Sequence, residues 1–240
     1  MRRSSRSHGK SIGRHLLAIL FPERCAACGE VIPYAQEFCT ECRTRLPCIV
    51  PPVCPLCGRS EEACTCGRHR RHFDGCAAPF WYEEPIRAGI LRFKTEGASY
   101  AAASLAAAMA TVVRREYAGD PPVCVVPVPL SAHTRRERGF NQSERLAVAL
   151  ARELEIPMRP LLVKLVDTRP QKELPAWQRS GNLAGAFDRT PGERIPTGPI
   201  LLVDDVSTTG STLDECAKML KIYGAERVLA VVAALPRLSK

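Results

Sequence analysis

Aromatic residues are scarce, at 6% of 240 residues, so any core must rest on aliphatic side chains. No apolar run approaches the length needed to span a bilayer, which excludes membrane insertion as a helix. The features of an export leader are lacking as well. Arg2, Arg3, Arg6, Lys10 and Arg14 precede an apolar stretch at 16–21 that is only six residues long and ends at Pro22. Residues 1–22 therefore read as a basic tail and a short amphipathic helix, and the expected location is the cytoplasm. Negative charge is in deficit, with a formal balance of +9. An excess of cations suits nucleic acid, phosphate ligands or plain solubility, and does not separate them.

What the chain has in abundance is cysteine. Twelve are present, ten of them between Cys25 and Cys76. Cys25-x2-Cys28, ten residues, then Cys39-x2-Cys42 makes a complete four-thiolate set, and two such turns separated by a loop suit tetrahedral zinc. A disulfide framework needs an oxidising compartment, and nothing in the sequence exports the chain. A second set follows as Cys54-x2-Cys57, six residues, then Cys64-x-Cys66. Its closing pair is one residue tighter than usual, so Cys48, His69, His72 or Cys76 stands as a possible replacement ligand. A front with so little aliphatic content needs such metals to fold. The cluster Arg68, His69, Arg70, Arg71 and His72 at its end can meet a nucleic-acid backbone or simply face water. The front lacks the interleaved aromatics that stack bases.

Beyond the front, 73–82 is a short apolar and aromatic strand candidate. Ile86, Gly89, Ile90 and Phe93 recur at helical spacing, Gly97 breaks that run, and Lys94 reads as a surface residue. An alanine-rich helix is expected over 100–113. Val123 to Val126 reads as a buried strand that must end near Pro127, because proline cannot donate to a ladder. A flexible basic loop is expected next, over 130–143, with Asn141 or Ser143 capping a helix that runs to about Leu154. Arg135 and Arg138 in that loop carry guanidinium forks that match pyrophosphate oxygens.

The most informative stretch is Ile200-Leu201-Leu202-Val203-Asp204-Asp205-Val206-Ser207-Thr208-Thr209-Gly210-Ser211-Thr212. Four apolar residues suit a strand buried on both faces of a parallel sheet. The turn Thr208, Thr209, Gly210, Ser211 and Thr212 opens a helix through about Tyr223. Its small residues let backbone N–H groups converge where the helix N-terminus adds positive potential, which makes a phosphate cradle. Asp204 and Asp205, where the strand ends, can accept hydrogen bonds from a ribose diol. Cys124 and a final strand near 227–234 complete an α/β pattern, with Cys124 as inert core.

This turn resembles the phosphoribosyl-pyrophosphate (PRPP) loop of type I phosphoribosyltransferases. In that family the two acids hold the ribose hydroxyls and the turn holds the 5′-phosphate. Ser207 departs from it, since a larger apolar residue is more usual there. Taken with Arg135-x2-Arg138-Gly139-Phe140-Asn141-Gln142 after Val126-Pro127-Val128-Pro129-Leu130, the chain resembles the ComF-type competence proteins over roughly 16–235. Arg169-x-Gln171, Arg179-x2-Asn182 and Gly185-Ala186-Phe187 fall where family members carry a mobile hood over PRPP. Val166 stands where a basic residue is common. The resemblance implies an α/β fold of the type I phosphoribosyltransferase kind, with a mostly parallel sheet flanked by helices, behind a small N-terminal double zinc ribbon. The expected divisions are a tail at 1–22, a ribbon at 23–78 and a transferase-like domain at 79–240.

The implied ligands are structural zinc and PRPP with Mg2+. Asp204, Asp205 and Arg138 are the expected catalytic residues. Thr208, Thr209, Gly210, Ser211, Thr212, Arg135 and Gln171 complete the PRPP contacts. The implied role is DNA uptake in natural transformation, with single-stranded DNA and a helicase-like protein as partners. Two classes stay open: a transferase with an unread acceptor, and a non-catalytic PRPP sensor that binds DNA or a partner through its ribbons.

Overall fold

A computed structural model of the chain describes residues 22–33, 36–64, 66–67, 71–97, 99–165 and 185–237. Among these, the strands are β1 (Gly75–Ala77), β2 (Phe80–Trp81), β3 (Cys124–Pro127), β4 (Leu162–Lys164), β5 (Phe187–Arg189), β6 (Ile200–Val206) and β7 (Val228–Leu235). The α-helices are α1 (Thr40–Thr44), α2 (Ile86–Glu96), α3 (Ser99–Glu116), α4 (Ala132–Arg138), α5 (Gln142–Leu154) and α6 (Ser211–Ile222).

The main sheet is parallel throughout and runs β1-β7-β6-β3, with β2 continuing on the β1 side of β7. All eight residues of β7 are buried, as an unbroken apolar strand covered on both faces must be. Strand alternation then sorts the core into two layers. Leu201, Val203, Leu229 and Val231 pack with α2, α3 and α5. Ile200, Leu202, Val228, Ala230 and Val232 pack with Leu213, Cys216, Ala217 and Leu220 of α6. Small alanine side chains let α3 lie close, with Ala101, Ala102, Ala106 and Ala110 all buried. A separate antiparallel pair, β4 with β5, lies outside this sheet.

The strand expected over 73–82 is present but broken into β1 and β2 at Ala78 and Pro79. Pro79 has no N–H for the ladder, and its carbonyl instead accepts from Ile49 of the cysteine-rich front at 2.9 Å. Gly97 closes α2 in the left-handed region at φ 64. The flexible loop expected over 130–143 is corrected by α4. Ser131 caps that helix, its Oγ accepting from Thr134 N at 3.2 Å, and Gly139 ends it at φ 75. Asn141 caps α5, accepting from Ser143 N at 3.0 Å while its amide donates to Val128 O at 3.1 Å.

The front repeats one motif. Cys25 N and Cys54 N each donate to a carbonyl five residues on, at 2.8 Å, and Gly29 N and Gly58 N each return to the first cysteine's carbonyl. Gly29 and Gly58 hold φ values of 82 and 72, as the tight turn requires. The core passes without a break from the front into the sheet. Ala26, Ala27, Ile32 and Phe38 pack in the same cluster as Phe80, Ile86, Ile90 and Phe93. Phe38 and Phe80 meet edge to face, with centroids 6.0 Å apart.

Candidate functional site

Each cysteine set converges. The sulfurs of Cys25, Cys28, Cys39 and Cys42, and those of Cys54, Cys57, Cys64 and Cys66, all lie within 4.8 Å of one another in their group. Cys28 and Cys39 stand 3.7 Å apart, as do Cys54 with Cys66 and Cys57 with Cys64. A tetrahedron with Zn–S bonds of about 2.3 Å has edges of about 3.8 Å, whereas a disulfide is about 2.05 Å long. The spacing therefore fits two tetrathiolate zinc sites. The second set is closed by Cys64 and Cys66 at 3.2 Å, despite the tight spacing. Backbone hydrogen bonding at Cys66, with the other thiols, lowers the Cys64 thiol to about 7, while burial raises Cys57 and Cys66, whose protons a bound metal would displace. The other candidate ligands lie elsewhere: Cys76 is buried in the core layer, Cys48 is exposed, and His72 pairs with Asp214. His69 lies outside the described residues.

The acid pair ends β6 with its two carboxyl groups in different surroundings. Asp204 accepts from Ser143 Oγ at 2.7 Å, at the start of α5. Asp205 is buried and meets Lys94 Nζ at 3.0 Å. Burial first, then repulsion from Asp205, pushes Asp204 up to about 7, against the pull of the Ser143 hydroxyl. Burial alone would lower Lys94, but Asp205 outweighs it and holds the ammonium above its usual range. Lys94 is thus a site residue that the sequence reading placed on the surface. Its signal was present: Ile86, Ile90 and Lys94 are four residues apart, on the stripe that α2 buries.

Because the folded pKa of Asp204 lies above an unfolded value near 4, its contribution to stability is present at low pH and lost as pH rises through about 7. Asp204→Asn is therefore expected to raise the melting temperature of the ligand-free protein more at pH 8 than at pH 5.5. Scanning calorimetry of both proteins at both pH values checks this, and an equal shift at the two would contradict it.

The loop after β6 turns at Gly210, which caps α6 at φ 80 without a side chain. Thr209 Oγ1 and Ser211 Oγ lie 2.9 Å apart, and Ser211 N donates to Thr209 Oγ1 at 3.4 Å. Ser207 is buried beneath the loop. Thr208, Thr209, Gly210, Ser211 and Thr212 thus sit at the C-terminal end of a parallel strand and the start of a helix, the usual place for an anion in such sheets. From the basic cluster, Arg71 turns toward the loop, its Nη2 donating to Thr209 O at 2.8 Å, while the exposed His72 donates its backbone N–H to Asp214 Oδ1 at 2.6 Å. Arg68, His69 and Arg70 lie outside the described residues.

Arg135 pairs with Glu144 at 3.0 Å and lines an open groove with Arg145 and Arg152. Arg138 is exposed at the end of α4. Arg169, Gln171, Arg179 and Asn182 lie outside the described residues, as does Val166.

The fold and its sites define an α/β domain of the phosphoribosyltransferase kind joined to a double zinc ribbon. A double zinc ribbon domain model matches residues 16–77, and a phosphoribosyl transferase domain model matches residues 141–239. Competence protein F of Haemophilus influenzae is 32% identical over 219 residues, which cover 87% of this chain and 95% of that protein. Competence protein ComFC of Bacillus subtilis is 27% identical over 195 residues, covering 77% of this chain and 78% of that protein. DNA utilization protein YhgH of Salmonella typhimurium is 30% identical over 209 residues, covering 85% of this chain and 86% of that protein. The chain belongs to the ComF family. Among the described residues, no helix is long and apolar enough to cross a membrane.

Proposed function

We propose that the chain binds PRPP with Mg2+ at Asp204, Asp205 and the loop from Thr208 to Thr212, and that it serves DNA uptake in the cytoplasm. The observation that carries the ligand is the convergence of an acid pair and a glycine-capped helix start on one strand end. Asp204 and Asp205 would accept from the ribose hydroxyls, and the loop N–H groups would hold the 5′-phosphate. Lys94 balances the charge of Asp205 beside the site. Arg135 and Arg138 supply guanidinium groups to the departing pyrophosphate once Arg135 leaves Glu144. By the family resemblance, Gln171 is a further residue that would contact PRPP. Magnesium, when bound with PRPP, would offset the pyrophosphate charge. In transfer, the bond from ribose C1 to pyrophosphate breaks as an acceptor nucleophile bonds to C1, and the protein's share is positioning and charge stabilisation.

The role in DNA uptake is supported by kinship with proteins named for competence and DNA utilization. Single-stranded DNA and a helicase-like protein are the proposed partners. Among the described residues the ribbon's aromatics, Phe38 and Phe73, are buried, so DNA contact through these would rest on charge rather than base stacking. A steep fall of single-strand affinity with salt is the expected signature.

Calorimetry with PRPP and Mg2+ tests the ligand. Saturable heat is expected, and Asp205→Asn should weaken binding about tenfold or more, since hydrogen bonds to charged groups are among the stronger ones. No heat with the wild-type chain would sink the proposal. Pyrophosphate release against a panel of bases and amines then decides between transferase and sensor.

A further inference from the structure

The second cysteine set and the phosphate loop are joined by two arginines. Arg59 follows the Cys57-Gly58 turn and is only 6% exposed. Its Nη2 donates to Thr208 O at 3.0 Å and its Nε to Pro236 O at 3.3 Å. Arg71, five residues past Cys66, donates to Thr209 O at 2.8 Å. His72 adds a contact to the first turn of α6, its Nδ1 lying 3.1 Å from Asp214 Oδ2. A cavity of about 220 Å³ lies between the two units, with Cys57, Arg59, Cys66 and Arg71 on one side and Thr208 and Gly210 on the other.

Peptide geometry gives these contacts a consequence. In a trans peptide the C=O and the following N–H point in opposite directions across one rigid plane. A guanidinium that holds the Thr208 carbonyl therefore aims the Thr209 N–H away from the ribbon. Arg71 on the Thr209 carbonyl does the same for the Gly210 N–H. Those two N–H groups belong to the turn that would cradle the phosphate. Gly210 leaves its peptide planes free to rotate unless something outside the loop fixes them. Arg59 has a reason to stay in place: its backbone N–H bonds the Cys57 thiol of the second set, and it lines one cavity with Cys57, Cys66 and Arg71, where a zinc tetrathiolate would carry net negative charge.

We propose that Arg59 and Arg71 are positioning residues for the phosphate cradle, and that the second zinc site holds Arg59 so that metal occupancy sets PRPP affinity. This rests on the PRPP reading above. Coupling of two sites is reciprocal, so PRPP must in turn tighten zinc in the second set.

The test uses the full zinc-loaded chain with Arg59→Gln and Arg71→Gln. For Arg59→Gln, both zinc ions are expected to remain at neutral pH without competing chelator. Its PRPP dissociation constant, with Mg2+, should rise about tenfold, within the usual span of site coupling. Without ligand, amide exchange at 207–212 should quicken while exchange at the Cys25 to Cys42 turns is unchanged. With a competing chelator, PRPP should protect zinc in the wild type and lose that effect in Arg59→Gln. Wild-type PRPP affinity and loop exchange in a variant that keeps both zinc ions would overturn the inference. If Arg59→Gln sheds zinc, Arg71→Gln and Arg59→Lys supply the same two readouts. A wild type that binds no PRPP sinks the functional reading alone, and loop exchange then decides this one.

Discussion

Cys42→Ser is expected to lower the zinc content from two ions per chain to one and to drop the melting temperature by more than about 10 °C. Cys42 is buried in the same cluster as Ala26, Ala27, Phe38 and Ile90. Losing its ligand frees the turn that presses Ile32 and Phe38 onto the sheet side of the molecule. A serine hydroxyl leaves a weak donor where a thiolate stood, and three thiolates hold zinc far less firmly than four. The effect should reach past the ribbon, because the cluster is shared with α2 and α3. Metal analysis with scanning calorimetry checks both parts. Two zinc ions and an unchanged melt would show that Cys42 is not a ligand of the first set.

Gly89→Ala is the second large effect, and its sign opposes helix propensity. Alanine inside a helix normally stabilises by about 1 kcal/mol over glycine. Here a Cβ on Gly89 would stand 2.1 Å from Ala26 O and 3.1 Å from Ala27 Cα, both backbone atoms of the first cysteine turn. Neither can swing aside as a side chain can. Arg92, one turn further along α2, donates to Ala27 O and ties the same two segments together. The helix and the turn must therefore move apart, opening the core between them, at a cost of about 3 kcal/mol by overpacking. Gly119→Ala serves as the control, with nothing within 4 Å of its would-be Cβ. Denaturant unfolding of both variants should show a loss for Gly89→Ala and little change for Gly119→Ala. Equal stability of the two would refute the close contact.

Much of this architecture was legible because it is written locally. Apolar residues of β6, the acid pair and the glycine turn are contiguous, so their joint meaning survives without tertiary information. The cysteine spacings work in the same way. What escaped the sequence is written across distance. Lys94, though on the stripe that α2 buries, meets Asp205 of the distant strand β6, and Arg59 meets Thr208 across 149 residues, so neither partner is named by its neighbours in the chain. Arg71 and His72 looked like part of a basic surface because charge runs usually are solvated. Arg71 instead donates to a carbonyl of the loop after β6, while His72 stays exposed yet contacts the Asp214 carboxylate of α6. The helix α4 was hidden by its basic composition, which read as a flexible loop, and Gly139 ends the helix. Proline at 79 could be read as a breaker, yet not that the strand would resume on the same neighbour.

The position of β7 bears on how the molecule is made. It comes last of the described strands in chain order, yet it lies between β1 and β6 and touches both. During synthesis the cysteine turns can gather their metals early, while the edge formed by β1 and β2 waits without its neighbour. The β1 and β2 edge joins β6 only through β7, so the sheet closes from the middle and not from an end.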